Sequence, residues 1–136
     1  MIFVDASALT AVMGDEPMAD RVLDCLESRA AFFTSPVAVY ETALAVARIA
    51  NYSIAEALAE VGDLLTRAEI SVESLDSEHA ALALAAFARF GKGRHPAGLN
   101  MGDCFAYACA KTRDAAILFV GNDFSRTDLR DALATP

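Results

Sequence analysis

Four acidic residues stand at positions where the surrounding pattern does not favour a charge. Asp5 and Asp123 each follow an apolar run with strand-forming character, Glu41 lies inside a nearly all-apolar stretch, and Asp103 opens another such stretch. An isolated carboxylate facing a packed interior is costly to desolvate. Each of these groups therefore needs a partner or a metal ion.

The chemistry that these acids could perform together is metal-assisted hydrolysis. Four carboxylates in one crevice would repel one another and take up protons. Mg²⁺ or Mn²⁺ would remove that conflict, because these ions prefer oxygen ligands, usually one or two carboxylates and several waters. A metal bound in this way activates a water and stabilises charge on phosphoryl oxygens, so the predicted reaction is phosphodiester hydrolysis. The cation would also allow a chain with a formal net charge of -8 to act on RNA.

Three of the acids also have a purely structural interpretation. Asp5 could cap the helix that begins near Ser7, and Asp123 could cap the turn after the last strand. Asp103 could form a capping box with Asn100, three residues earlier. Considered one at a time, these three residues favour the structural interpretation.

Glu41 differs from the other acids because the helix around it is apolar on nearly every side, where a glutamate is seldom buried without a partner. The structural alternative is an ion pair with Arg48, two turns further along. We favour a functional site over that ion pair.

The elements that would position these acids alternate between strands and helices. Strands are predicted at residues 2–4, 31–34, 70–72 and 116–120, and helices at 7–13, 18–28, 36–50, 54–68, 76–90 with Asp76 as the cap, 102–113 and 129–134. This order predicts an α/β fold, a three-layer α/β/α sandwich with a central parallel sheet. A chain of 136 residues is expected to form a single domain over residues 1–136.

Such a fold would bring the acids to one place. The carboxyl ends of parallel strands lie at the same edge of the sheet, where ligands bind in α/β proteins. Asp5 and Asp123 both end strands, while Asp103 lies in the first turn and Glu41 in the second turn of helices that begin at this edge. The sequence therefore predicts a single acidic crevice.

Four segments carry these acids in a recognisable order: VDASAL at 4–9, VYE at 39–41, LNMGDC at 99–104 and GNDF at 121–124. Together they resemble the four acidic motifs of PIN domains, specifically those of the VapC toxins, and the resemblance covers essentially the whole chain. It implies an endoribonuclease that depends on Mg²⁺ or Mn²⁺, is inhibited by a VapB-type antitoxin and is commonly a homodimer.

By the family pattern, the acid positions are Asp5, Glu41, Asp103 and Asp123. We expect Asp5 and Asp103 to bind the metal directly, and Asp123 to bind it or to hold a metal-bound water. Glu41 is expected to act through water, either by positioning the nucleophile or by completing a second metal site.

Three neighbours of these acids complete the predicted site. Ser7 matches the hydroxyl that the family usually has two residues after the first aspartate, and we expect it to donate a hydrogen bond to a carboxylate rather than to react. Asn122 is expected to lie next to the metal-binding acids and to support them without binding the metal itself. Asp128 lies close enough to Asp123 along the chain to replace or assist it.

A basic loop before the Asp103 helix is a further candidate for RNA binding. Arg89, Lys92, Arg94 and His95 could contact phosphates, and the alternative is a solvated, mobile loop. Some apolar side chains could stack on bases or form a partner surface, but core packing is the preferred interpretation for them: Tyr40, Leu44, Val46, Ile49, Phe105 and Tyr107.

The sequence lacks the marks of several other protein classes. It has no glycine-rich phosphate loop, no second aspartate two residues after Asp5 as in haloacid dehalogenase phosphatases, and no acidic pair of the receiver type. The remaining alternative is a catalytically inactive protein of the same fold that only binds or regulates a partner.

Cysteine usage and hydropathy indicate a cytoplasmic protein. Cys25, Cys104 and Cys109 are odd in number and lack C-x-x-C spacing, so they are expected to be small buried hydrophobes in a reducing compartment. We expect neither a signal peptide nor association with a membrane.

Overall fold

The computed structural model describes residues 1–134 and shows helices packed around a small parallel sheet. Its elements, in chain order, are β1 (Ile2–Val4), α1 (Ala6–Met13), α2 (Ala19–Leu26), β2 (Phe32–Thr34), α3 (Pro36–Ala50), α4 (Ile54–Arg67), β3 (Ile70–Val72), α5 (Ser77–Phe90), α6 (Met101–Thr112) and β4 (Ala116–Leu118).

The four strands are all parallel and have the order β3-β2-β1-β4, so β1 lies in the interior of the sheet. β1 pairs with β4 through Phe3 and Ile117, and with β2 through Phe3 and Phe33. Parallel neighbours on both sides place the carboxyl ends of β1 and β4 next to each other. The predicted α/β fold with a central parallel sheet is confirmed.

The sheet separates two clusters of buried apolar side chains. Phe3 and Ile117 point to the face covered by α5 and α6, whereas Val4 and Leu118 point to the face covered by α1, α2 and α4, with α3 contributing to both clusters. This alternation of side chains along a strand, with helices on both faces, produces the three layers predicted from the sequence. Burial of a large apolar side chain such as Phe3 contributes roughly 2–3 kcal/mol to folding.

Local capping signals determine where α3 begins and ends. The Ser35 hydroxyl accepts a hydrogen bond from Ala38 N at 3.1 Å, and Pro36 occupies the first turn. At the other end, Asn51 adopts a left-handed conformation with φ of 55°. These residues are typical of helix termini, and the predicted helix at 36–50 is confirmed.

The predicted helix at 129–134 is wrong, and the predicted strand at 116–120 ends earlier, at Leu118. Ile117 N donates to Arg130 O at 2.9 Å, and Ala132 N donates to Ile117 O at 2.9 Å. β4 is an edge strand with unpaired backbone groups on one side. Residues 130–132 pair with that side in a short parallel bridge, and they do not form a helix.

The three cysteines are free thiols. Cys104 and Cys109 are buried, as predicted, while Cys25 is only partly buried. Among the residues that the structure describes, no helix combines the length and apolar character needed to cross a membrane.

Candidate active site

Asp5 lies at the end of β1 and is 5% exposed. Its Oδ2 accepts hydrogen bonds from Ser7 Oγ at 2.6 Å and from Ser7 N at 3.1 Å. Burial raises the pKa of the Asp5 carboxyl, and the hydrogen bonds from Ser7 oppose that effect. Asp5 therefore caps α1, as its structural interpretation expects, and still presents a carboxyl group with a perturbed pKa at the edge of the sheet.

The Ser7 hydroxyl ties the ends of two strands together. It donates to Asp5 and accepts a hydrogen bond from Val120 N at 3.0 Å, just after β4. The predicted hydrogen bond from Ser7 to a carboxylate is present. Ser7 Oγ thus uses its proton in the hydrogen bond to Asp5 and a lone pair in the hydrogen bond from Val120 N, which fits a residue that orients Asp5.

Glu41 lies half-buried in the second turn of α3. Burial, together with the charges of Asp5 and Asp103, raises the pKa of its carboxyl to about 7. The alternative of an ion pair with Arg48 is wrong, because no such pair within 4 Å exists among residues 1–134. A carboxyl group with a pKa near neutral pH can exchange a proton under physiological conditions.

Gly102 gives Glu41 access to the start of α6. A Cβ atom built on Gly102 would lie 2.6 Å from Oε1 of Glu41 and 2.5 Å from its Cδ. No side chain larger than hydrogen fits there unless the carboxyl group moves. Gly102 was not predicted from the sequence as a residue of the site, although it lies immediately before Asp103.

Asp103 combines capping with a perturbed pKa. Its Oδ2 accepts a hydrogen bond from Asn100 N at 3.1 Å, and its own N–H donates to Asn100 Oδ1 at 2.9 Å, which completes the predicted capping box. The pKa of the Asp103 carboxyl is raised to about 6. Burial is the largest cause, the charges of Asp123 and Asp5 act in the same direction, and the hydrogen bond from the Asn100 N–H acts against them. The structural and functional interpretations of Asp103 are thus compatible.

Asp123 lies on the exposed loop after β4, and its charge raises the pKa values of both Asp5 and Asp103. Asn122 is exposed beside it, and the backbone carbonyl of Asn122 accepts a hydrogen bond from Ser125 Oγ at 2.8 Å.

Asp128 belongs to a different cluster, away from this group. It accepts hydrogen bonds from Tyr107 OH at 2.7 Å and Lys111 Nζ at 3.0 Å, and Arg89 lies 3.7 Å away. Burial alone would raise the pKa of Asp128, but these partners outweigh it and the pKa is lowered. The charge of Asp128 is not among the influences that shift the pKa values of Asp5, Glu41 and Asp103, which places Asp128 outside the group of four acids.

Four separate segments of the chain thus bring their carboxylates into one electrostatic environment. The charge of Asp123 raises the pKa values of Asp5 and Asp103, and the charges of Asp5 and Asp103 raise that of Glu41, although these residues are far apart along the chain. Within residues 1–134, no three His, Cys, Asp or Glu side chains form a ready-made ligand cage. The donor set nevertheless fits a hard divalent cation, which needs only one or two carboxylates and completes its shell with water.

The basic loop is ordered by aromatic contacts. The guanidinium of Arg89 lies 4.6 Å from the centroid of the Phe90 ring, and that of Arg94 lies 5.4 Å from the ring of Phe87. The His95 ring meets Phe90 edge-on at 5.1 Å. Among these basic residues, Lys92 is exposed and makes no such contact in the described part of the chain.

Core packing was predicted for six apolar residues, and three of them are buried or partly buried whereas the other three are exposed. Tyr107 and Val46 are buried, and Phe105 is partly buried against the core. Tyr40, Leu44 and Ile49 are exposed by 66%, 41% and 53%, so the prediction is wrong for these three residues of α3.

Comparison with known proteins decides the family. A model of the PIN domain matches residues 2–129. The chain belongs to the PIN-domain family. Among the relatives of this PIN domain, Ribonuclease VapC30 of Mycobacterium tuberculosis is 40% identical over 128 residues, which cover 93% of this chain and 94% of the relative. VapC ribonuclease R02377 of Rhizobium meliloti is 37% identical over 142 residues, covering 95% of this chain and 99% of the relative.

The fold of this PIN domain also matches a solved structure. The crystal structure of VapC20 of Mycobacterium tuberculosis, described as a sarcin-ricin loop cleaving toxin, superposes with a TM-score of 0.77 at 17% identity. The match covers 95% of this chain and 96% of VapC20. The predicted resemblance to PIN domains of the VapC type is confirmed.

Proposed function

We propose that this PIN domain is a metal-dependent endoribonuclease, the toxin of a VapBC-type toxin–antitoxin pair, and that residues 1–136 form a single domain. The observation that carries the proposal is the convergence of Asp5, Glu41, Asp103 and Asp123 at one edge of the sheet, close enough for the charges of Asp5, Asp103 and Asp123 to raise the pKa of a neighbouring carboxyl group. Its relatives at 37–40% identity are named as ribonucleases. VapC ribonucleases of the PIN family are metal-dependent, and the all-oxygen donor set favours Mg²⁺ or Mn²⁺ here.

The direct metal ligands in this proposal are Asp5 and Asp103, with Asp123 as a third ligand or as an acceptor for a metal-bound water. When bound, a divalent ion of this kind supplies an activated water and stabilises negative charge on phosphoryl oxygens. Ser7 keeps Asp5 oriented through the 2.6 Å hydrogen bond, and Asn100 keeps Asp103 oriented through the capping box. These partners fix the directions of both carboxylates before substrate arrives.

Glu41 is proposed to accept the proton of the attacking water at one of its carboxyl oxygens. A pKa of about 7 matches the operating pH of a general base. Gly102 allows this carboxyl group to lie against the first turn of α6, beside Asp103. Asn122 is proposed to support Asp123 from the neighbouring position on the loop.

The partners in this proposal are RNA as substrate, a VapB-type antitoxin and a second copy of the chain in a homodimer, all in the cytoplasm. An antitoxin with a basic segment would complement a protein of formal net charge -8. An arginine of such a segment could pair with the acids in the crevice and compete with the metal.

The test is cleavage of cellular RNA by the purified protein. We expect cleavage with Mg²⁺ or Mn²⁺, loss of cleavage with EDTA, and recovery when excess metal is restored. Asp5→Asn should abolish cleavage while leaving the thermal unfolding midpoint and circular dichroism spectrum close to those of the wild type. Metal-independent cleavage, or full activity of the Asp5→Asn variant, would overturn the proposed site. Absence of cleavage under every metal condition would instead support the inactive binding protein.

A further inference from the structure

A polar cleft of about 410 Å³ opens beside Asp123, next to the group of four acids. Its lining consists of two short segments of chain, Pro96 with Ala97 on one side, and Asn122, Asp123, Ser125 and Arg126 on the other. The cleft is therefore continuous with the proposed active site through Asp123. Its volume lies in the range of sites that bind small ligands, and one nucleotide unit is a ligand of that size.

The wall that carries Arg126 is anchored to the core. Phe124 is 2% exposed, and its ring meets that of Phe119 edge-on at 5.3 Å. Ser125 Oγ donates to Asn122 O at 2.8 Å, and Thr127 N donates to Phe124 O at 3.1 Å. These contacts hold the backbone on both sides of Arg126.

The opposite wall is held as firmly. Ala97 is 7% exposed, and its N–H donates to His95 Nδ1 at 3.0 Å. Leu99 N donates to Phe90 O at 2.9 Å, which attaches the end of this loop to α5. The cleft thus lies between two ordered segments.

Arg126 is one of six Lys and Arg residues of this acidic protein that have no carboxylate within 4 Å in residues 1–134, and it is the one of the six that lines the cleft. Five cations have a carboxylate within 4 Å: Arg67, Arg89, Lys111, Arg113 and Arg130. Arg126 has no such partner within residues 1–134, although it shares the cleft with Asp123. Its guanidinium is exposed and keeps its hydrogen-bond donors available for a ligand.

We propose that this cleft is an RNA subsite in which Arg126 binds a backbone phosphate adjacent to the scissile one, while the attached nucleoside packs against Pro96 and Ala97 beside the amide of Asn122. The inference rests on the proposed function and adds the location of the substrate strand. A guanidinium binds phosphate oxygens through paired N–H donors. Beside four acids, a fixed cation offsets the repulsion that the incoming phosphate would meet.

The test compares Arg126→Gln with Arg29→Gln, which removes the same charge. Arg29 is exposed in the turn before β2, so it lies toward the opposite, amino-terminal edge of the sheet. Binding of a fluorescein-labelled, random-sequence RNA oligonucleotide is measured by anisotropy across a salt series, and cleavage kinetics are measured on the same RNA. The unfolding midpoint of each variant shows whether it folds.

We expect Arg126→Gln to weaken RNA binding roughly five- to tenfold and to raise KM by a similar factor, with kcat within about twofold of the wild type. The slope of log affinity against log salt should fall by about 0.7, the value for one phosphate contact to a single strand. Arg126→Lys should keep the wild-type salt slope, because a lysine keeps the charge, but should recover only part of the affinity, because it lacks the paired N–H donors. Arg29→Gln should match the wild type.

Three results would overturn the subsite. The first is wild-type affinity and salt slope in Arg126→Gln, and the second is an equal loss in Arg29→Gln, which would show a general effect of net charge. A loss of kcat without a change in KM would place Arg126 in the chemical step and would also contradict a subsite. If the wild type cleaves no RNA, the proposed function fails, whereas the binding series still decides the subsite.

Discussion

At the residue scale, the clearest constraint on the site is the missing side chain at Gly102. A Cβ atom there would lie 2.6 Å from Oε1 of Glu41, so Gly102→Ala must displace the Glu41 carboxyl group. Displacement of a catalytic group by about 1 Å can cost up to about a hundredfold in rate. We expect the kcat for RNA cleavage to fall by tenfold or more while the helix itself still forms.

Gly62 offers a matched control, since it lies in the middle of α4 and a Cβ atom there would meet no atom within 4 Å. Gly62→Ala should keep full activity and stabilise the protein by up to about 1 kcal/mol through helix propensity. Gly102→Ala should lower the thermal unfolding midpoint while the Glu41 carboxyl group is present, and should not lower it in a Glu41→Ala background. A Gly102→Ala variant with wild-type kcat would contradict the close approach of Glu41.

The two aspartates near the end of the chain should respond differently to the same substitution. Asp123→Asn removes a charge that acts on Asp5 and Asp103, so we expect weaker Mn²⁺ binding in calorimetry and slower RNA cleavage. Asp128→Asn removes the negative charge beside Tyr107 but keeps an oxygen that can accept its hydrogen bond, and it should leave cleavage unchanged.

Spectrophotometric titration provides an independent readout for Asp128→Asn. Burial raises the pKa of Tyr107 to about 12, and its hydrogen bond to the Asp128 carboxylate contributes to that increase. The neutral amide should therefore lower the pKa of Tyr107 toward its ordinary value of 10.0. If Asp128→Asn abolished cleavage while Asp123→Asn did not, the assignment of the fourth acid would have to be reversed.

At the scale of elements, the active edge depends on how β1 and β4 end. Ser7 Oγ links Asp5, at the end of β1, to Val120 N, just after β4. Ser7→Ala should weaken Mn²⁺ binding by about ten- to a hundredfold, as expected when a residue that orients a metal ligand is lost. It should also cost about 1–2 kcal/mol of stability, because a buried donor and acceptor lose their partner.

A threonine at this position tests the mechanism. Ser7→Thr retains the hydroxyl and should retain most of the metal affinity. Thr66→Ala is the control, because within residues 1–134 the Thr66 hydroxyl bonds only to the Gly62 carbonyl, at 3.0 Å on the exposed face of α4. Equal Mn²⁺ affinity in Ser7→Ala and the wild type, by calorimetry, would show that Asp5 is oriented without Ser7.

Elements with strong local signals could be predicted from the sequence. The helix α3 begins at Pro36 after the Ser35 cap and ends before Asn51. Ser35 and Asn51 each affect only the turn of helix next to them. The location of the acids could also be predicted from topology, because parallel strands end, and the helices after them begin, at the same edge of the sheet. Local chemistry and chain order were sufficient for these features.

Features that depend on tertiary contacts could not be predicted in the same way. Residues 129–134 have apolar residues at helical spacing, yet their backbone pairs with the edge strand β4. α3 is apolar on nearly all sides, so the sequence could not show that Tyr40 and Ile49 face outward while Val46 faces the core. The close approach of Glu41 to Gly102 likewise depends on how two distant helices pack.

At the scale of the whole molecule, the crowded acids make stability depend on pH. The pKa values of Asp5, Glu41 and Asp103 are all raised, so the folded protein binds more protons than the unfolded chain between the ordinary carboxyl pKa values of 3.8 to 4.5 and about 7. The free energy of unfolding must therefore fall as pH rises through this window. Asp76 and Glu56 have lowered pKa values, and their effect on stability is confined to more acidic pH.

We expect the protein in EDTA to be less stable at about pH 7.5 than at about pH 5, by roughly 1–3 kcal/mol after allowance for solvent screening. Urea unfolding at a series of pH values measures this difference. Glu41→Gln should reduce the dependence on pH, since a neutral amide cannot titrate, and Mn²⁺ should restore stability at the higher pH by binding the ionised carboxylates of the folded state. Stability in EDTA that stays level or increases between these pH values would mean that the three carboxyl groups are neither desolvated nor close together, and the proposed metal site would lose its physical basis.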